Sequence, residues 1–179
     1  MTTLSTPKGE IIIRVAIIDD AGLLRELRLE SLAMHPTALA ADLAMTTAEG
    51  MEIWQDRIAE YSSEKSGVIN IACAGDELIG MAGVTRGHWP KMRHGATLWG
   101  VYVKPGWRGL HIGRGLINGC IQWARENRMT VLYLGVTNTE LAAIRCYTHC
   151  GFTEYGIEPR VIFYEGIYYD QLLMVKLLD

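Results

Sequence analysis

Residues 101–116 constrain the fold of this 179-residue chain more than any other segment. An apolar run over residues 98–103 predicts a strand, and Pro105-Gly106 ends it. The following residues are basic and spaced by glycine, and residues 113–127 then predict a helix with one apolar face. A strand that runs through a short glycine loop into a helix leaves N–H groups free at the helix start. The segment therefore has the order of elements from which a backbone can form an anion-binding turn.

The residue types in this loop suit a phosphate group. Gly109, Gly113 and Gly115 remove side chains where a phosphate would touch the main chain. Arg108 and Arg114 add positive charge and hydrogen-bond donors. Glycine-rich loops also serve as plain connections between strands and helices. The loop alone therefore leaves both interpretations open.

A second strand–helix unit follows the first. Residues 130–136 predict a strand, and Thr137-Asn-Thr-Glu140 predicts a capping box that opens another helix. That helix carries Tyr147 and ends near Gly151-Phe152. Two motifs at this separation are far more specific than either motif alone.

The combined order is V-x-P-x-x-R-G-x-x-x-G, a helix, a strand, and A-I-x-x-Y-x-x-x-G-F. It resembles the GNAT superfamily of acetyl-CoA-dependent N-acetyltransferases, most specifically over residues 98–152. The resemblance implies a single-domain α/β fold with a mixed, mostly antiparallel sheet flanked by helices. It also implies a splayed sheet that holds the cofactor where two strands separate. The implied activity is that of an acyltransferase, which moves acetyl from acetyl-CoA to a primary amine of a small molecule or peptide N-terminus by direct attack.

The resemblance also assigns roles to residues. The CoA pyrophosphate is expected on the loop and the first helical turn, and the pantetheine arm on the central strand. Tyr147 matches the family tyrosine that protonates the departing thiolate, and a phenol of pKa near 10 stays protonated at neutral pH. Glu140 holds the position where the family often has an asparagine, and Asn138 lies two residues earlier. The expected cofactor-binding residues are Val101, Tyr102, Val103, Arg108, Gly109, Leu110, His111, Ile112, Gly113, Arg114, Gly115 and Asn138.

One residue departs from the family pattern, whose loops usually run R-G-x-G-x-G. The middle glycine is replaced here by His111. A side chain at that position either forces a different local conformation or points outward from an otherwise usable turn. Both outcomes stay open at the level of the sequence.

The acceptor side is less specific than the cofactor side. The acceptor pocket is expected from residues 34–47, 86–95 and 158–169, which bring several aromatic side chains. Whether a side-chain general base exists stays open at the level of the sequence, because water relays are common in such sites. The candidate bases are His94, Glu26, Glu30 and Asp42.

Composition limits the class of protein further. A net charge of −3 and a pI near 6.0 provide no overall field for nucleic acid. No run approaches the roughly 20 apolar residues that span a membrane, and residues 1–9 lack a signal-like apolar segment. Residues 1–9 are therefore expected to form a flexible tail before one N-acetyltransferase domain over residues 10–179. The cysteines show no C-x-x-C pair, which favours reduced thiols in a cytoplasmic protein without a bound metal: Cys73, Cys120, Cys146 and Cys150.

Three other classes of protein compete with the acetyltransferase interpretation. A dinucleotide dehydrogenase would need G-x-G-x-x-G, but Gly113, Gly115 and Gly119 miss that spacing by one residue. A non-catalytic acetyl-CoA-binding or sensor module of the same fold stays open, as does a structural protein that has lost the cofactor. A homodimer is compatible with the family resemblance.

Overall fold

The computed structural model describes residues 1–178, apart from the side chain of Glu64, and Asp179 of the expected domain lies outside the described residues. Within this range, none of the helices combines the length and the apolarity needed to cross a membrane. The strands are β1 (Thr2–Thr6), β2 (Gly9–Val15), β3 (Gly67–Ala74), β4 (Glu77–Arg86), β5 (Gly95–Val103), β6 (Val131–Thr137), β7 (Thr153–Tyr164) and β8 (Ile167–Leu177). The helices are α1 (Ala21–Met34), α2 (Leu43–Ala48), α3 (Glu52–Glu64), α4 (Ile112–Glu126) and α5 (Leu141–His149).

All eight strands form one sheet in the order β1-β2-β3-β4-β5-β6-β8-β7. Every neighbouring pair is antiparallel except β5 and β6, which run parallel. This parallel pairing covers only Gly95↔Val131, Ala96↔Leu132 and Thr97↔Tyr133, and the two strands then separate. The expected mixed, mostly antiparallel sheet with flanking helices is therefore confirmed.

Helices cover both faces of the sheet. On one face, α4 buries an apolar stripe on β3, β4 and β5, and this cluster is the main core. Each large aliphatic side chain buried there stabilises the fold by about 1.5–3 kcal/mol. On the other face, α1 and α3 bury Leu24, Leu27 and Trp54 against Ile69 and Ile71 of β3. The buried stripe of α4 consists of Leu116, Ile117, Cys120, Ile121 and Ala124.

The expectation of a flexible tail over residues 1–9 is wrong. Thr2–Thr6 forms β1, which pairs with β2 from Thr2↔Ile13 to Thr6↔Gly9. Gly9 has a φ of +108°, which allows the tight turn between these two strands, and Leu4 packs against the main core. A short polar segment can pair as an edge strand because main-chain hydrogen bonds, rather than an apolar run, hold it in place.

The predicted capping box at residues 137–140 is also wrong. Thr137 is the last residue of β6, and its hydroxyl donates to the carbonyl of Thr37 at 2.7 Å. Glu140 takes the N-cap position of α5 without capping it through its side chain. Because Thr137 belongs to β6, its side chain bonds to the segment after α1 and not to the start of α5.

A β-bulge interrupts β5 where it leaves β6. Gly83 pairs with Trp99 and Met81 pairs with Tyr102, so two residues of β5 lie opposite one residue of β4. The first of the two, Gly100, has a φ of +62°, which favours glycine. The bulge bends β5 at the point where the strands separate.

A substitution at Gly83 tests the packing of Trp99 beside this bulge. A Cβ at Gly83 would collide with the indole of Trp99. We expect Gly83→Ala to lower the free energy of unfolding by about 1–3 kcal/mol, because the partly buried indole ring has to shift. Urea unfolding measures this change.

Gly106→Ala is the matched control, since a Cβ there has no atom within 4 Å. Its free energy of unfolding is expected to change by less than about 0.5 kcal/mol. Equal changes in the free energy of unfolding for the two variants would contradict the described packing of Trp99 on Gly83.

Candidate functional site

A cleft of about 530 Å³ lies between the separated parts of β5 and β6. Beyond Thr97, β5 has no strand partner on its β6 side among the described residues 1–178, so main-chain groups of β5 face this cleft. The first turn of α4 and several residues along α5 also line it. Ten of the thirteen residues that the sequence assigned to the site line the cleft: Val101, Tyr102, Val103, Arg108, Gly109, His111, Ile112, Gly113, Arg114 and Tyr147.

The turn before α4 has the backbone of an anion site. Gly109 has a φ of +79°, and His111 has φ 60° and ψ 10°, so left-handed residues precede the right-handed helix. The N–H of Gly115 donates to the carbonyl of His111 at 3.0 Å, which is the first bond of the helix. The N–H groups of residues 112–114 therefore precede that bond and point out of the helix start. Such a run of N–H groups forms a concave site for an anion, so residues 109–114 form an anion turn.

His111 keeps the turn intact instead of reshaping it. It adopts the left-handed conformation that a glycine would favour, and its side chain is exposed. The second of the two outcomes expected for this departure is therefore the observed one. The backbone strain costs about 1 kcal/mol relative to glycine.

Arg108 does not point at the turn. Its Nε donates to the carbonyl of Val103 at 3.0 Å, and its Nη2 donates to His35 Nε2 at 2.9 Å. Its guanidinium also lies 5.7 Å from the ring centroid of Tyr102. Arg108 thus connects the end of β5 to the residue after α1, while Arg114 is the exposed cation in the first turn of α4.

Three of the expected cofactor-binding residues lie outside the cleft. A Cβ at Gly115 would collide with Ile13, so this glycine allows α4 to approach β2 closely. Leu110 packs against the main core. Asn138 is exposed, and its N–H donates to the carbonyl of Asp170 at 3.1 Å. Glu140 lines the cleft instead, which its position at the start of α5 explains.

Tyr147 lies in α5 with its side chain buried at the cleft wall. Its ring packs edge to face on Phe152, with centroids 6.2 Å apart. Burial raises the pKa of Tyr147, and the neighbouring thiols of Cys146 and Cys150 raise it further. The phenol therefore holds its proton at neutral pH and can act as a proton donor.

Glu30 is the one candidate base that the structure links to a cleft residue. Its carboxylate accepts a hydrogen bond from the Tyr102 hydroxyl at 2.8 Å and lies 3.9 Å from Lys104 Nζ. Burial and Glu30 raise the pKa of Tyr102 to about 12. Asp42 instead caps α2 by accepting from the Met45 N–H at 2.9 Å. His94 and Glu26 are exposed and do not line the cleft.

Cys146 also lines the cleft, although the sequence predicted only a reduced thiol at this position. A Cβ at Gly113 would lie 3.6 Å from its Sγ, so the thiol lies beside the anion turn. A hydrogen bond from Cys150 lowers the pKa of Cys146, against the effect of burial, and Arg114 and His149 lower it further. His35, from the segment 34–47 expected to form the acceptor pocket, also lines the cleft. Trp99 lines it too, and the sequence did not indicate Trp99 as a site residue.

Residues 28–152 match the model of the acetyltransferase (GNAT) family. The chain belongs to this family. Streptothricin acetyltransferase of Streptomyces lavendulae is 34% identical over 93 residues, which are 52% of this chain and 47% of that protein. Aminoglycoside N(6')-acetyltransferase type 1 of Stenotrophomonas maltophilia is 26% identical over 153 residues, covering 74% of this chain and 94% of that protein. The GNAT chain thus spans about half the length of the first relative and nearly all of the second.

Solved structures of the family share the fold. A GNAT-family acetyltransferase from Streptococcus pneumoniae has a TM-score of 0.85 at 23% identity, covering 94% of this chain and 99% of that chain. A putative acetyltransferase, yncA, from Salmonella typhimurium, solved with acetyl-CoA, has a TM-score of 0.80 at 23% identity and covers 94% of each chain. These likenesses confirm the GNAT fold predicted from the two sequence motifs.

The strain at His111 gives a test of the anion turn. We expect His111→Gly to raise the free energy of unfolding by about 0.5–1 kcal/mol, because glycine adopts a positive φ without strain. Arg114→Gly, three residues on and inside the helix, is expected to lower it by about 1 kcal/mol. Urea unfolding of both variants provides the measurement. Destabilisation by His111→Gly would contradict the left-handed conformation.

The alkylation rate of Cys146 reports whether the cleft is occupied, and this measurement needs no turnover. Iodoacetamide at pH 7.5 is expected to alkylate Cys146 at least tenfold faster than Cys120, which is fully buried and whose pKa burial raises to about 12. Saturating acetyl-CoA is expected to slow the alkylation of Cys146, because this thiol lines the cleft. Mass spectrometry of tryptic peptides measures both rates. Equal alkylation of the two thiols, or no protection, would contradict the described site.

Proposed function

We propose that this GNAT protein is an N-acetyltransferase that moves acetyl from acetyl-CoA to a primary amine of a small molecule by direct attack. One observation carries the proposal: the anion turn, the free edge of β5 and Tyr147 line the same cleft. Each of the three matches a different chemical requirement of the reaction. A plain connection between strand and helix would not bring them together.

The residues of the cleft fit acetyl-CoA. The N–H groups of residues 112–114 suit a pyrophosphate, since they point outward from the helix start. The unpartnered main chain of Val101 and Val103 suits a peptide-like pantetheine arm. When bound, acetyl-CoA supplies an acetyl group that is activated as a thioester.

The protein's own groups then orient the thioester and protonate the departing thiolate. Main-chain N–H groups of β5 near the bulge at Gly100 are available to polarise a carbonyl. Tyr147 holds its proton because burial raises its pKa, and it can deliver that proton to a departing thiolate. Both steps use groups of this chain that line the cleft.

The named relatives support a small-molecule amine as the acceptor. Their names refer to the acetylation of streptothricin and of aminoglycosides. The alternative is a non-catalytic acetyl-CoA sensor of the same fold. Such a sensor would share the cleft but would not need a protonated tyrosine in its wall.

Tyr147→Phe separates the enzyme from the sensor. We expect the variant to lose about 10²–10⁴-fold in kcat, because the general acid is removed. Its Kd for acetyl-CoA is expected to stay within twofold of wild type, since the ring remains in place. CoA release is measured with a panel of streptothricin, an aminoglycoside, polyamines and L-amino acids, and calorimetry measures the Kd.

Tyr133→Phe is the matched control, because Tyr133 lies on β6 with its side chain exposed and does not line the cleft. Its kcat is expected to equal that of wild type. Unchanged turnover in Tyr147→Phe would remove the proposed role of this tyrosine. Bound acetyl-CoA without turnover of any amine would favour the sensor.

A further inference from the structure

A second cavity, of about 340 Å³, lies on the opposite face of the sheet from α4. Arg28 of α1 and Arg57 of α3 both line it, together with the aromatic side chains of Trp54, Tyr61 and Trp99. Two cations in a half-buried aromatic pocket are unusual, because burying a charge is costly unless it is paired. The cavity therefore calls for a negatively charged occupant.

Among the side chains that line this cavity, Arg28 has a buried hydrogen-bond donor that is left unpaired. Its Nη1 is buried and has no hydrogen-bond partner among the residues that the structure describes. Burial lowers the pKa of Arg28, and the positive charge of Arg57 lowers it further. Glu49 opposes this effect from the rim of the cavity, but its carboxylate is exposed. Among the side chains that the structure describes, no carboxylate lies within 4.0 Å of Arg28 or Arg57.

The remaining walls hold the cavity in shape. The guanidinium of Arg57 lies 5.2 Å from the ring centroid of Trp54 and 5.6 Å from that of Trp99. The Trp99 indole N–H donates to the Thr85 hydroxyl at 2.8 Å, and the Tyr61 hydroxyl is hydrogen bonded to the same oxygen. Arg57 is thus positioned by stacking on aromatic rings, and no described side chain forms an ion pair with its guanidinium.

The cavity adjoins the acetyl-CoA cleft through the bulge of β5. Trp99 lines both spaces, and the next residue, Gly100, lines the cleft. A Cβ at Gly100 would lie 3.7 Å from Arg28 Nη1. The free donor of Arg28 therefore lies directly behind the strand residue that borders the cleft.

We propose that Arg28 and Arg57 form a carboxylate subsite for the acceptor, which is then a small amino acid-like molecule that carries both a primary amine and a carboxylate. This inference rests on the proposed acetyltransferase function and specifies its substrate class. Guanidinium groups match a carboxylate with paired hydrogen bonds. A carboxylate in the cavity places the amine of the same molecule toward the bulge and the cleft. Two positive charges against the single exposed carboxylate of Glu49 disfavour polycationic acceptors such as aminoglycosides.

The first test measures binding without turnover. Tryptophan fluorescence is titrated with N-acetylglycine and with its neutral match, N-acetylglycinamide, because Trp54 and Trp99 line the cavity. We expect a saturable change with the acid and at least tenfold weaker binding of the amide. Arg28→Met is expected to lose the preference for the acid. Glu49→Gln is expected to strengthen acid binding, since it removes the competing negative charge.

Arg125→Met is the matched control, since Arg125 is exposed on α4 and lines neither cavity. It is expected to bind the acid as wild type does. The comparison of acid and amide in wild type decides the question even if Arg28→Met does not fold. Equal binding of acid and amide by wild type, up to about 50 mM, would overturn the proposal.

The second test measures turnover with L-amino acids and their amides. We expect wild type to prefer the acids by at least tenfold in kcat/KM. Arg28→Met and Arg57→Met are each expected to lower kcat/KM for the acids by about 10–100-fold, because a charge-assisted contact is lost. The Kd for acetyl-CoA is expected to stay unchanged in both variants.

The two hypotheses fail in different ways. Acetylation of an aminoglycoside or polyamine with no preference for acids over amides would overturn the carboxylate subsite and leave the acetyltransferase intact. Binding of N-acetylglycine in preference to its amide, without turnover of any amine, would support the anion subsite and contradict the enzyme.

Discussion

The short parallel pairing between β5 and β6 is the constraint on which the rest of this structure depends. Three residue pairs hold the two strands together, and beyond Thr97 they separate. The separation leaves the main chain of β5 without a strand partner on one side and opens the cleft between α4 and α5. A fully paired sheet would satisfy those main-chain groups internally. It would leave no room for a peptide-like ligand arm.

The anion turn is held in place by the packing of α4. Its apolar stripe buries several aliphatic side chains against the sheet, and each contributes about 1.5–3 kcal/mol. The strain of about 1 kcal/mol at His111 is small beside this burial. A left-handed residue other than glycine is therefore tolerated at the mouth of the site. The same packing fixes the N–H groups of residues 112–114 relative to β5.

Residues in local motifs could be predicted from the sequence, and residues that depend on long-range contacts could not. The anion turn, the buried face of α4 and Tyr147 each follow from spacing within one segment, and the structure places all three around one cleft. The pairing of residues 2–6 and the strand position of Thr137 depend on distant partners, so local patterns gave the wrong answer. Arg28, Arg57 and Trp99 lie far apart in the sequence with no shared motif. Only the packing of α1 and α3 on the sheet brings them together.

The measurement that tests the cleft most directly is a calorimetric titration of the protein with acetyl-CoA, beside Gly113→Val. Gly113 lines the cleft, and a side chain there would point toward Cys146 and Val103 while leaving the N–H in place. Wild type is expected to bind one acetyl-CoA with a Kd on the order of micromolar. The variant is expected to bind at least tenfold more weakly. Absence of binding to wild type, or equal binding by both, would contradict the assignment of this cleft to acetyl-CoA.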